Sequence, residues 1–366
     1  MTRRQPDEQG IRIEARMMQE ELPHSHASPA PRPEFPREVT APAGGLLLPA
    51  EETWKKVREL TLRQLDRFMS YEAKVLKGNN ADAIHDMRVA SRRLQQVLDL
   101  VYAKPRPPEL RRLRRQIRRC RQALGDVRNC DVLLELVRRP LARKRSARRE
   151  AWAAIEHFLL LRRSENFLRA MRKLGKINLA VFYVNLKQFL HHDKAHEHAA
   201  QHHAYSGSAA RPGFARDLKQ ALDSVWSRFQ EQIERSHSSS RPEVIHAARI
   251  ATKRLRYLVE VFHEFGTPGS ADALAWLRQL QNHLGNWHDL EVLEQMMIQM
   301  LARPEFLREQ LPLAMEVERL ILRNRKNKAE FEQKYSHQLL GSSEMRRLKE
   351  WTANVLAPSV AASAKA

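Results

Sequence analysis

The sequence predicts an all-α protein made of two copies of one helical unit. Three observations predict it. Apolar residues recur at three- and four-residue steps through most of the chain after residue 50. Glycine is scarce, at 12 of 366 residues, and many of the 18 prolines fall before residue 50. The second half also repeats the first at a near-constant offset. With 42% apolar residues the chain can fill one sizeable core or two of ordinary domain size.

Residues 1–50 carry a Pro-rich run from Pro29 to Pro36 with little apolar periodicity, and read as a flexible tail. An amphipathic helix is expected over 51–77, ended by Gly78-Asn79-Asn80. A second is expected over 82–103. It stops at Pro105, Pro107 and Pro108, because proline lacks the amide a helix needs and crowds the preceding turn. A third spans 109–124, where Gly125 interrupts, and a fourth spans 126–138, before Pro140. Long helical patterns over 147–190 complete a first half at 51–190. Residues 191–213 are polar and His-rich and read as a linker. The second half, 214–356, predicts helices over 214–237, 242–265, 271–300 and 305–337, with a short one near 343–355. Residues 357–366 read as a disordered tail.

The repeat is visible residue by residue. At an offset of 161, Ile84, His85, Arg88, Ala90, Arg93 and Leu94 are identical to Ile245, His246, Arg249, Ala251, Arg254 and Leu255. Arg92 and Lys253 are similar, as are Asp99 and Glu260. At an offset of 160, Leu124-Gly125 matches Leu284-Gly285, Arg118 matches Arg278, and Val132-Leu133 matches Val292-Leu293. Two copies of one helical unit, each burying one face in a bundle, are the simplest account.

On a helical wheel, Met87, Ala90, Leu94, Val97, Leu98 and Val101 gather on one side. His85, Arg88, Arg92 and Gln95 fall within an arc of about 80° on the other. In the second copy His246, Arg249, Lys253 and Arg256 take the corresponding stripe. Cations stacked on one helix face repel each other and so are locally unfavourable. A guanidinium, however, can grip a phosphate through two parallel hydrogen bonds, and a row of them could follow a phosphate chain. The next helix adds charge. Between Lys104 and Arg149 stand seventeen Lys or Arg against four acids. There Arg111, Arg115, Arg118 and Arg119 face away from the seam of Leu110, Leu113, Ile117 and Cys120. An imidazole beside such arginines is expected to be neutral, able to donate to a phosphate oxygen or to bridge helices.

The whole chain points the same way. Lys and Arg number 64 against 43 Asp and Glu, a formal net charge of +21. A polyanion or an anionic surface would relieve that self-repulsion. Two cysteines exclude a disulfide framework and favour a reducing compartment. No apolar stretch approaches the ~18 residues of a membrane span. No secretory signal opens the chain, so a cytoplasmic protein is expected. P-loop, dinucleotide-binding, H-E-x-x-H and G-x-S-x-G patterns are lacking, and neither cofactor nor hydrolase chemistry is signalled. His192/His196 and His198/His202 have the spacing of metal-binding pairs on a helix. With no cysteine or matched carboxylate to close a site, they read as part of a solvated linker.

The segments from His85 to Leu94 and from Leu124 to Leu133 resemble the signature of the CHAD domain, the conserved-histidine α-helical domain. So do His246 to Leu255 and Leu284 to Leu293, in the same order. The resemblance covers roughly residues 51–356. It implies two pseudo-symmetric antiparallel four-helix bundles that form a basic central channel. It further implies binding of inorganic polyphosphate there and association with polyphosphate granules. By matching position, His85, Arg88, Arg92, His246, Arg249 and Lys253 would line the channel, with Arg93, Arg254 and Arg118 as neighbours. Arg128 lies in the first-copy motif, where the second copy has His288. That exchange, with Lys253 in place of an arginine, predicts a weaker grip in the second half. Relatives often carry an N-terminal triphosphatase domain. Here no acidic E-x-E-x-K strand precedes the helices, so that activity is not expected and no catalytic residue is assigned.

Two other partners fit the charge. Nucleic acid would use the same phosphate contacts through counterion release. Its readers usually add stacking aromatics, and these stripes lack them apart from Tyr257. A basic scaffold docking on an acidic protein is the other alternative.

Overall fold

The computed structural model describes residues 50–78, 80–102, 106–143, 148–192, 214–239 and 241–357. All regular structure among them is helical. The Pro-rich tail, the 191–213 linker from residue 193 on (its first two residues end a helix) and the C-terminal tail beyond residue 357 lie outside the described residues.

The first half comprises α1 (Ala50–Met69), α2 (Glu72–Leu76), α3 (Ala81–Val101), α4 (Pro108–Ala123), α5 (Gly125–Leu141), α6 (Arg149–Leu174) and α7 (Leu179–His192). The second comprises α8 (Phe214–His237), α9 (Pro242–Glu264), α10 (Ser270–Leu301), α11 (Pro304–Glu309), α12 (Leu311–Lys334) and α13 (Ser343–Leu356). One π turn, Tyr335–Leu339, follows α12.

Local chemistry sets the helix ends. Asn80 caps α3, its side-chain oxygen accepting from the Ala83 amide at 2.8 Å. Pro108 and Pro242 open α4 and α9, where a missing amide and a fixed φ suit the first turn. Gly78 turns the chain before α3 with φ +75°. A Cβ there would stand 2.4 Å from the Phe167 ring, so only glycine fits.

Two expected helices are divided, and the helical patterns over 147–190 resolve into two helices. The 51–77 segment breaks between α1 and α2. The 147–190 segment breaks after Leu174, and Asn178 recaps it by accepting from the Val181 amide at 2.9 Å. The 305–337 segment breaks at Gln310, because Pro312 suits the start of a helix and not its middle. Pro140 does not end its helix. It lies in the last turn of α5, which runs to Leu141.

Three apolar cores form among the described residues. One lies within the first half and includes Phe68, Ile84, Leu94 and Phe182. A second lies within the second half and includes Phe229, Leu255, Phe262 and Leu277. The third is shared: Leu133, Val137 and Leu159 meet Leu293, Met297 and Val317. Each fully buried Leu or Phe contributes roughly 1.5–3 kcal/mol. Packing partners recur between the halves. Helix α1 lies on α3 as α8 lies on α9, and α5 lies on α6 as α10 lies on α12. The halves also touch directly, α3 against α8 and α9, and α5 and α6 against α10.

Polar clamps repeat too. Asp131 on α5 holds Arg163 on α6 at 2.6 Å. On α10, Glu291 and Glu294 hold Lys328 of α12 at 2.5 and 2.7 Å. Asp131 and Glu291 stand 160 positions apart, the repeat offset. No helix among the described residues is long and apolar enough to cross a membrane.

Candidate anion-binding site

Helix α3 places Met87, Ala90 and Leu94 in the first core, and α9 places Ala248, Ala251 and Leu255 in the second. That phase leaves His85, Arg88 and Arg92 on the remaining face of α3, and His246, Arg249 and Lys253 on that of α9. The two faces converge. Lys253 lies within the fields of Arg249, Arg92 and Arg88, and Arg249 within that of Arg92. Arg121 at the end of α4 joins Arg88 and Arg92, and Arg128 on α5 joins His85 and Arg88. From α10, His288 packs its ring 5.1 Å from that of His246, and Asp289 stands among Arg249, Lys253 and Arg128.

Several of these side chains are held in place. Arg88 donates from Nη1 to the Arg121 carbonyl at 2.5 Å. A Cβ on Gly125 would come within 3.3 Å of that nitrogen, so the glycine of the Leu-Gly motif admits the guanidinium. Arg92 donates to the Tyr257 hydroxyl at 2.9 Å, bridging the two halves. The buried Tyr257 ring also lies 5.6 Å from the Arg92 guanidinium carbon and 4.5 Å from that of Arg256.

What the cluster lacks is anions in contact. Among the described residues, no carboxylate oxygen lies within 4 Å of a side-chain nitrogen of Arg88, Arg92, Arg121, Arg128, Arg249 or Lys253. Two buried donors, Arg121 Nη1 and Arg249 Nε, have no hydrogen-bond partner. Leaving such donors unmatched costs about 1–3 kcal/mol each, more when charged.

The electrostatics record that cost. Desolvation, then Arg92, Arg121 and Arg128, hold Arg88 down at about 10. Arg121 is likewise at about 10, through desolvation and then Arg92 and Arg118. Both stay charged at neutral pH. Lys253 falls furthest among the cations, to about 6, from desolvation and then Arg249 and Arg92. Solvent reaches one side of His85 while protein encloses the rest. Its pKa is pushed down to about 4 by desolvation and then by Arg128. Desolvation and Arg249 push His288 down to about 3 and also lower His246. Neutral imidazoles among fixed cations can donate a hydrogen bond to an anion or accept a proton when one arrives.

Other residues of the sequence analysis have different surroundings. Arg93 forks onto Glu260 at 3.0 and 3.1 Å, and Arg256 meets the same carboxylate at 2.5 Å. Arg93 therefore clamps α3 to α9, while Arg256 pairs within α9, one turn before Glu260, and both guanidinium groups are committed to that carboxylate. Arg111, Arg115, Arg118 and Arg119 are exposed on α4, away from its buried seam, and only Arg118 is close enough to depress Arg121. Arg254 is exposed, and its carbonyl accepts from Gln96 at 3.5 Å. Arg121, Tyr257, Glu260 and Asp289 belong to the site's architecture without having been assigned to it. The Asp99/Glu260 pairing within the repeat was the available signal for Glu260. Nothing in the sequence shows which cation Asp289 faces. Among the described residues, no group of three His, Cys, Asp or Glu is placed to hold a metal ion. His196, His198 and His202 of the paired histidines lie outside the described residues.

Residues 59–297 match the family model of the CHAD domain. The chain belongs to the CHAD domain family. A crystal structure of the CHAD domain from the plant Ricinus communis is similar, with a TM-score of 0.54 and 20% identity over 84% of this chain and 93% of that one. PptA from Streptomyces chartreusis is similar at a TM-score of 0.52 and 12% identity, over 79% of this chain and 99% of that one. At those identities the likeness concerns the fold. No curated protein matches the chain. The CHAD match spans both stripe motifs and both Leu-Gly motifs, and so contains the whole basic cluster.

Proposed function

We propose that this CHAD-family protein binds inorganic polyphosphate without turning it over, using the cluster between α3–α5 and α9–α10 as a basic channel. In the cell it would act in the cytoplasm, at polyphosphate granules. One observation carries the reading: cations from both halves converge, and among the described residues no carboxylate touches them. Such an arrangement is unfavourable alone and becomes favourable around a strong anion. Arg88 and Arg92 lie one helical turn apart, about 6 Å along α3. Successive phosphates of an extended chain could therefore meet successive guanidinium groups. His85, Arg128, His246, Arg249 and Lys253 would complete the contacts, with Arg121 added. Arg93, Arg254, Arg256 and Arg118 are assigned supporting places. The reading includes no catalysis, because the cluster offers cations and imidazoles rather than a set of carboxylates for a metal.

Tyr257 favours polyphosphate over nucleic acid. It is the aromatic beside the stripes, yet it is 4% exposed and covered by two guanidinium groups. It cannot serve as a platform for a base. The exposed row Arg111, Arg115 and Arg119 supports a second, weaker reading, non-specific contact with a nucleic-acid backbone or an acidic protein surface. Competition separates the two. A labelled DNA duplex should be displaced by a low molar excess of polyphosphate, while DNA should not displace labelled polyphosphate. Mutual displacement at equal phosphate concentration contradicts a dedicated polyphosphate site.

A further inference from the structure

This inference concerns the same cluster and rests on the polyphosphate reading. The other half-buried carboxylates named above touch their cations. Asp99 meets Arg106, Asp131 meets Arg163, Glu260 meets Arg93 and Arg256, and Glu291 and Glu294 meet Lys328. Asp289 does not. Arg249 and Lys253 of α9 and Arg128 of α5 surround it, with Glu135 of α5 as the nearby like charge. His288, its neighbour on α10, and His246 on α9 stand beside the same Arg249 and Lys253. Yet among the described residues no cation nitrogen lies within 4 Å of the Asp289 carboxylate. A structural ion pair would have closed that gap.

The repeat sharpens the point. The equivalent position 160 residues earlier is Asn129, which is neutral and exposed. The residue before it is Arg128, against His288 in the second copy. The same stretch of backbone therefore brings a fixed cation in the first copy, and a neutral imidazole with a carboxylate in the second.

We propose that Asp289 is an internal competitor for the phosphate chain: a carboxylate that offsets Arg249 and Lys253 in the empty protein and takes up a proton when phosphate displaces it from that role. The first-copy cations are then the stronger subsite, and the second copy engages in a proton-dependent way. The surroundings support this. Desolvation raises Asp289 to about 6 against the pull of Arg249, Lys253 and Arg128. A phosphate oxygen nearby raises it further. The same phosphate restores charge to Lys253, which the empty cluster holds at about 6. Both changes consume protons, so binding tightens as pH falls.

Titration calorimetry with sodium polyphosphate of one medium length tests this, using the full chain, Asp289→Asn and Asp289→Glu near pH 5.5 and pH 8. The amide is isosteric and removes a charge that the fold disfavours, so D289N should keep its melting temperature. At pH 8 we expect D289N to bind roughly tenfold more tightly than wild type, the equivalent of one pKa unit. Near pH 5.5 the gain should shrink to less than about twofold, because the carboxylate is then largely protonated in both states. D289E, which keeps the charge, should follow wild type. Equal or weaker binding by D289N at pH 8, with saturable binding by wild type, overturns the role of Asp289 and leaves the channel reading intact. An equal gain in D289E also overturns it, since shape and not charge would be responsible. Absence of saturable binding by wild type at both pH values overturns the channel reading together with this one.

Discussion

The two sides of the basic cluster share one backbone plan and differ in what they do with it. On the first-copy side, Gly125 lets the Arg88 guanidinium lie against the α4–α5 junction, and Arg128 adds a fixed charge. On the second-copy side, a Cβ on Gly285 would meet nothing within 4 Å, His288 replaces the arginine and Asp289 adds an acid. Helix α10 runs unbroken through its Leu-Gly, whereas α4 and α5 part at theirs. The helices and their buried faces recur on the two sides, whereas the charges differ. A glycine shared by both motifs is therefore not needed for the same reason in each.

The largest consequence is expected where the two halves are clamped. Glu260 takes Arg93 across the α3–α9 contact and Arg256 from one turn earlier on α9 itself. Glu260→Ala should cost about 3 kcal/mol in a urea titration, because two partly buried guanidinium groups lose their partner. A loss under about 0.5 kcal/mol would mean that this clamp adds nothing to the packing and the Arg92–Tyr257 bond that join the halves. Next come the glycines. Gly125→Ala should displace Arg88 and weaken polyphosphate binding by about 1–2 kcal/mol in calorimetry, the scale of one lost charged hydrogen bond. Gly285→Ala should leave binding alone and stabilise α10 by about 1 kcal/mol, through helix propensity. Equal effects at the two glycines would erase the asymmetry.

A pH series probes the same contrast. Lys253 is depressed from 10.5 to about 6, His85 from 6.5 to about 4, and His288 from 6.5 to about 3. The unfolded chain therefore binds more protons in those windows. These groups make the ligand-free protein lose stability as pH falls, from Lys253 between 10.5 and about 6 and from the histidines below 6.5. Asp289 acts in the opposite sense between 3.8 and about 6. Polyphosphate restores the cationic forms, so its thermal shift should be larger at pH 6 than at pH 8. A shift independent of pH would leave Lys253 and the histidines without a part in binding. The smallest effect is expected on α4. Replacing Arg111, Arg115 and Arg119 together with alanine should change stability by no more than about 0.5 kcal/mol per site in the same urea titration.

Much of the fold was legible, because one-sided burial writes a 3.6-residue period into the sequence. The observed α8, α9 and α10 begin and end within a residue of expectation. The break at Gly125 and its absence at Gly285 were likewise legible from the local pattern. The shared third core was not. Periodicity marks Leu133, Val137, Leu293 and Met297 as buried without saying that they bury one another. Phase places Arg88 and Arg249 away from the apolar faces of α3 and α9, but that the two stripes lie together was implied only by the family resemblance. The engagement of Arg93 did not follow, because it depends on Glu260 reaching it across the α3–α9 contact, whereas the Arg256–Glu260 pair has the i, i+4 spacing of one helix face. The place of Asp289 did not follow either, because the charged groups around it come from α9 and α5 and not from its own helix.

In this reading, cations from both copies act on one ligand. Calorimetry of a medium-length polyphosphate with Arg88→Ala, Arg249→Ala and the double variant, across a salt series, tests it most directly. Each single change should weaken binding and lower the salt slope by about one, and the double variant should lower it by about two while staying folded. Full affinity in the double variant, with loss instead on replacing Arg111, Arg115 and Arg119, would place the site on the outer face of α4 and contradict the account.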